Sequence, residues 1–99
     1  MATDDRGSDR SVYRAAEGVV VERIDGSALL ISLETNRMFE LDPAGARLWE
    51  VLVAGDHLGA AKATLLEEYD VAPGVLAADV GELIERLESE GLLIRVTRA

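Results

Sequence analysis

Ninety-nine residues, 48% of them hydrophobic and 29% charged, suffice for one domain built around one core. The chain has no cysteine, which excludes disulfides, thiolate metal sites, iron–sulfur ligation and a cysteine nucleophile in one step. Ten basic against nineteen acidic side chains leave a net charge of −9, which disfavours phosphate backbones and anionic lipid as partners and favours a neutral or basic one.

The chain opens on "MATDDRGSDRSVYR", which is polar and lacks the apolar stretch of a signal peptide. No apolar run approaches the roughly 18 residues of a membrane helix, so the expected location is cytoplasmic. Met1 to Ala16 has no periodicity and reads as a disordered tail, with one domain following over residues 17–96. "VVVERI", Val19 to Ile24, is β-branched and short, and it ends at Asp25-Gly26, a dipeptide suited to a tight hairpin turn. "ALLISL", Ala28 to Leu33, reads as a central strand. Glu34 to Asn36 signals a second turn. "RMFEL", Arg37 to Leu41, alternates, with Arg37, Phe39 and Leu41 on one side and Met38 and Glu40 on the other.

The period then lengthens to that of a helix. Asp42 is a good N-cap and Pro43 suits the first helical position, where its missing N–H costs nothing. Leu48, Trp49, Leu52 and Val53 form the apolar stripe of a first helix that Gly55 ends. Trp49 is expected in the core. A second helix is expected from Leu58 to Tyr69, with Ala61, Leu65 and Tyr69 on one face. "DVAPG" breaks it. A third runs from Pro73 to Glu90 with Leu76, Val80, Leu83, Ile84 and Leu87 as its apolar face, and "LLIRV", Leu92 to Val96, forms a short extended end. The expected fold is therefore α+β: a three-stranded antiparallel sheet followed by three helices, like a winged helix-turn-helix with the wing first.

That architecture brings a DNA-binding regulator to mind, and the charges argue against it. The third helix carries Asp79, Glu82, Glu85, Glu88 and Glu90 against Arg86 alone, the wrong sign for an element lying between two rows of phosphates. Catalysis finds no better footing. His57, the one histidine, stands where a cap for the second helix is expected. No serine is set in a nucleophile motif, no metal-ligand spacing occurs, and no glycine-rich phosphate loop follows a strand. The chain reads as a non-enzyme without cofactor or metal, a binding module whose third strand offers an edge to an incoming strand.

The residues also resemble a family. "LDPAGARLWEVL", "LLEEYDV" and "ADVGELIERLESEGLL" are similar in order and spacing to the PqqD family, at Leu41-Asp42, Ala44, Ala46, Leu48-Trp49, Tyr69-Asp70-Val71, Asp79-Val80 and Gly91-Leu92. The resemblance spans Gly18 to Ile94. His57 departs from the family's usual Thr or Ser cap, and Ala61 from its frequent Ile. The resemblance implies a peptide-recognition element. Such a protein binds the leader segment of the precursor of a ribosomally synthesised, post-translationally modified peptide and presents it to a separate enzyme. That enzyme is a leader peptidase and cyclase in lasso-peptide pathways, or a radical-SAM enzyme in PqqD-type ones. The composition leans towards the lasso case, with no nucleic acid or membrane as partner and a monomer or weak dimer as the expected state. The implied mode is strand addition along Arg37, Met38, Phe39, Glu40 and Leu41, with the peptide lying against Leu76, Asp79, Val80 and Leu83 of the third helix. Met38 and Phe39 are candidates to line an apolar pocket. Phe39, Val80 and Leu83 face either the groove or the core, and Asp79 serves either a leader N–H or basic side chain, or the fold itself.

Overall fold

The computed structural model describes residues 9–96. Along the chain run β1 (Val12–Ala15), β2 (Val19–Ile24), β3 (Ser27–Ser32), β4 (Arg37–Leu41), α1 (Pro43–Val53), α2 (Leu58–Glu68), α3 (Pro73–Ser89) and β5 (Leu93–Val96). The fold is α+β, with a three-stranded antiparallel sheet in the order β2-β3-β4 and three helices. A second, two-stranded sheet joins β1 to β5.

The hairpin β2-β3 turns at Asp25 and Gly26, which take φ of 50° and 88°, the left-handed pair that lets two strands close without splaying. Its register sets Val21 opposite Leu30 and Arg23 opposite Ala28. β4 then sets Phe39 opposite Leu30 and Leu41 opposite Ala28. Alternation therefore gives one face of the sheet Ala28, Leu30, Phe39 and Leu41, and α1 covers that face where it touches β3 and β4. The strand turns earlier than expected: β3 stops at Ser32, and Leu33 is 65% exposed in the turn that follows.

Asp42 caps α1 as its sequence predicts, its Oδ1 accepting the Gly45 N–H at 2.8 Å, and Pro43 opens the helix. Leu48, Trp49 and Leu52 are core residues, Trp49 only 4% exposed. Val53 is not: it faces solvent, and Val51 is buried in its place. The buried arc of α1 is displaced because the helix is flanked on two sides, by the sheet and by α2. α2 ends at Glu68, one residue short of the expectation, with Tyr69 extended at its C-cap. On the surface Arg47 bridges to Glu50 and Glu68, tying α1 to α2; its hydrogen bonds hold the Glu68 carboxyl below the usual carboxylate range.

The expected tail over Met1–Ala16 needs correction in its second half; residues 1–8 lie outside the described residues. Val12–Ala15 is a strand, paired antiparallel with β5 from Val12 opposite Val96 to Ala15 opposite Leu93. Tyr13 is 1% exposed and belongs to the core cluster with Trp49 and Leu93. The residues just before β1 are fixed too. The carbonyls of Ser11 and Asp9 accept the Leu58 and Gly59 N–H groups at 2.9 and 2.8 Å, two donors that the first turn of a helix leaves without internal partners. His57 adds a third capping bond, Nδ1 accepting from the Ala60 N–H. Gly59, an unfavourable residue in a helix by propensity, is what lets the segment pass: a Cβ there would stand 2.9 Å from that of Asp9.

Candidate functional site

Among the described residues β4 lies at the end of its sheet, so its outer side makes no ladder bonds with them. In an antiparallel pair every second residue turns both its N–H and its C=O away from the partner strand. A five-residue strand thus presents an edge about 17 Å long to an incoming chain. β2 is the sheet's other edge, and its Val20, Val21 and Ile24 are exposed.

Beside β4 stands α3, and contacts along it show that it runs antiparallel to the strand. Arg37 pairs with Glu90 at 2.9 Å where the strand begins. The Arg86 guanidinium lies 5.2 Å from the centroid of the Phe39 ring, within range of a cation–π contact. Further on, Leu41 and Leu83 meet over Gly45. Between strand and helix lies an open groove of about 850 Å³. Its floor is core: Leu41, Leu48, Leu65, Leu76 and Val80 are buried yet reach its surface. Phe39 and Leu83, packed against that core and partly buried, form its walls. Asp70, Asp79 and Glu82 stand exposed at the rim, and Glu40 borders it with its side chain on the sheet's outer face.

The groove gathers seven of the residues expected from the sequence: Phe39, Glu40, Leu41, Leu76, Asp79, Val80 and Leu83. Phe39, Val80 and Leu83 serve both groove and core, because the groove's floor is the outer surface of the core. Two expected residues fall outside the lining. Met38 is the clearer correction. It shares the opposite face of the sheet with Ile31 and is 67% exposed, so it cannot line a pocket with Phe39. Arg37 is drawn to Glu90 instead. The sequence also misses lining residues. Tyr69, Asp70 and Val71, in the turn before α3, form the far wall, and Arg86 and Glu82 extend the helix side. Gly45 is the tightest point: a Cβ there would lie 3.1 Å from the Asp42 Oδ1 and 3.3 Å from a Leu83 methyl.

Among the described residues no group of three or more His, Asp or Glu side chains is placed to hold a metal ion, and no helix is long and apolar enough to cross a membrane.

The family model for coenzyme PQQ synthesis protein D (PqqD) matches residues 27–93, from the start of β3 to the start of β5. The chain belongs to the PqqD family. Two solved structures share its fold. TbiB1 in complex with the TbiA(beta) leader peptide matches with a TM-score of 0.72 at 28% identity, over 80% of this chain and 93% of that one. Lasso peptide synthetase B1 complexed with the leader peptide matches with a TM-score of 0.75 at 20% identity, over 83% and 96%. No curated protein matches. The PqqD match contains β4, α1, α2 and α3 entire, and so contains both walls and the floor of the groove. It leaves out β1 and β2.

Proposed function

We propose that this chain is a non-catalytic peptide-recognition protein. It captures the leader segment of the precursor of a ribosomally synthesised, post-translationally modified peptide by strand addition to β4, and presents the precursor to a separate enzyme. The observation that carries the reading is the apolar groove lying directly against an unpaired sheet edge. Edge pairing supplies main-chain hydrogen bonds that any sequence can make, and the groove supplies selectivity through alternate side chains. A TbiB1 structure of the same fold was solved with a leader peptide bound, which supports this assignment of the ligand class. The reading contains no chemical step, so incubating the protein alone with its precursor leaves the precursor's mass unchanged. The partner enzyme we propose is the leader peptidase and cyclase of a lasso pathway, supported by the fold shared with a lasso peptide synthetase B1. A radical-SAM gene beside this one, in place of a cyclase gene, would redirect that assignment without touching the first.

The test is amide mapping. Isotope-labelled protein is titrated with the leader segment of a lasso-precursor peptide. Shifts are expected along Arg37–Leu41 and over Leu76–Leu83, with β4 amides becoming protected from hydrogen exchange. Binding in the sub-micromolar to micromolar range is expected, about −8 to −10 kcal/mol. Shifts confined to β2, or β4 amides that exchange as fast with peptide as without, would show that the edge is not used.

A further inference from the structure

The groove's floor is apolar, but its rim is predominantly acidic. Glu40, Asp42, Asp70, Asp79 and Glu82 line it against Arg86 alone; five minus one leaves four net negative charges. Acidic side chains on a surface define no site by themselves. These surround a groove with an apolar floor beside an unpaired strand edge, and they have no competing work except at Asp42, which caps α1. Among the described residues, no ion pair or hydrogen bond engages the side chains of Glu40, Asp70, Asp79 or Glu82. The single cation sits at one end, over Phe39, and the acids follow from Glu40 onward towards the turn at Asp70. The chain's overall charge of −9 has the same sign and reinforces the local field.

We propose that this groove is selective for cationic peptides. Its occupant is an extended segment that seats an apolar side chain against Phe39, Leu76 and Leu83 and lays Lys or Arg side chains over Asp70, Asp79 and Glu82. This deepens the leader-binding reading and rests on it. Strand addition alone is indifferent to sequence, and an apolar floor distinguishes only size and shape. A predominantly acidic rim adds a charge requirement, steers encounter, and rejects acidic segments by repulsion. Each rim contact is half in solvent, so it contributes about two- to fivefold in affinity. Three together contribute about ten- to a hundredfold, most of it lost to screening as salt rises from about 50 to about 500 mM.

The experiment pans a display library of random peptides, about ten residues long so as to span the edge, against the parent protein and against Asp70→Asn/Asp79→Asn/Glu82→Gln. All three positions are exposed, and the substitutions keep side-chain shape. Melts followed by the fluorescence of Trp49 confirm that the variant is folded. Peptides selected on the parent should be enriched in Lys and Arg, should bind the variant about ten- to a hundredfold more weakly, and should weaken likewise when their own Lys and Arg are replaced by Gln. A salt titration of the parent reports the same dependence without any variant. Peptides that are lost on Leu83→Ala, and so occupy the groove, but show no cationic excess and bind parent and triple variant alike would overturn the charge requirement and leave the leader-binding reading standing. Peptides indifferent to Leu83→Ala that leave β4 amides unshifted, or a library that yields no binder, would overturn both.

Discussion

Tyr13→Ala asks whether the segment before β2 is part of the fold. Tyr13 is 1% exposed and belongs to the same buried cluster as Trp49, Leu92 and Leu93, and its hydroxyl is hydrogen-bonded to Ser11. Truncating a buried aromatic to alanine removes its transfer free energy and leaves a cavity, together costing about 3–5 kcal/mol. A domain of this length has a total stability of about 5–15 kcal/mol, so the loss is a large fraction of the whole. At about 4–8 °C per kcal/mol for a domain of this size, the melting temperature should fall by at least about 12 °C. Trp49 is the chain's one tryptophan and is buried, so its fluorescence follows the melt without a label. Because β1 and β5 form a sheet of their own and line no part of the groove, leader affinity well below the melt should stay within about twofold of the parent, a shift of about 0.4 kcal/mol. A melt within about 3 °C of the parent, less than a 1 kcal/mol loss produces, would refute the placement of Tyr13 in the core and restore the reading of this segment as a tail.

Three further outcomes follow from particular contacts. Burial, with Glu88 adding to it, raises the Tyr13 pKa in the fold, so below about pH 10 the phenol is protonated in both states and contributes no pH dependence; above that the unfolded chain ionises first and stability falls. The urea midpoint of Tyr13→Phe should therefore decline less steeply than the parent's between about pH 9.5 and pH 11, and equal declines would show that the phenol is not desolvated. Met38→Ala, on the outer face of the sheet, should leave leader affinity unchanged, whereas Phe39→Leu, which loses both a wall of the groove and the Arg86 contact, should weaken it; the reverse order in a titration would mean that β4 presents its other face. Gly45→Ala gains up to about 1 kcal/mol of helix propensity but forces Asp42 and Leu83 to give way by a few tenths of an ångström, so its melt should move by less than about 1 kcal/mol while leader binding weakens. Unaltered binding would show that the groove does not need that close approach.

What the sequence makes legible is what is decided locally. Asp42-Pro43 states where β4 ends and α1 begins, and Asp25-Gly26 states a turn, because each acts through bonds or dihedrals within a few residues. β1 is illegible for the opposite reason. "VYRA" is four residues with a charge inside it, and its partner, β5, lies at the other end of the chain, so no local pattern announces the pair. Met38 is a different kind of error. Alternation already puts Phe39 and Met38 on opposite faces, so an expectation that both line one pocket conflicts with the period that predicts the strand. Gly45 and the Tyr69–Val71 turn escape notice because their role is spatial: one leaves room for Leu83, and the other closes the groove from a segment that carries no periodicity.

The same charges bear on why an unpaired edge stays unpaired. A strand such as β4 offers its free N–H and C=O groups as readily to a second copy of itself as to a leader. Edge-to-edge pairing of two copies at β4 brings two α3 helices to the same interface, each with Asp79, Glu82, Glu85 and Glu88 against Arg86, between chains of charge −9 apiece. Screening at about 0.1 M salt extends over about 10 Å, so repulsion between acids brought closer than that survives in ordinary buffer. The protein is therefore expected to sediment as a monomer at about 50 mM salt, with self-association rising as salt is added. Asp70→Asn/Asp79→Asn/Glu82→Gln should self-associate more strongly than the parent under the same conditions. A parent that dimerises at low salt, or a neutralised variant that stays as monomeric as the parent at every salt concentration, would show that something other than charge guards the edge.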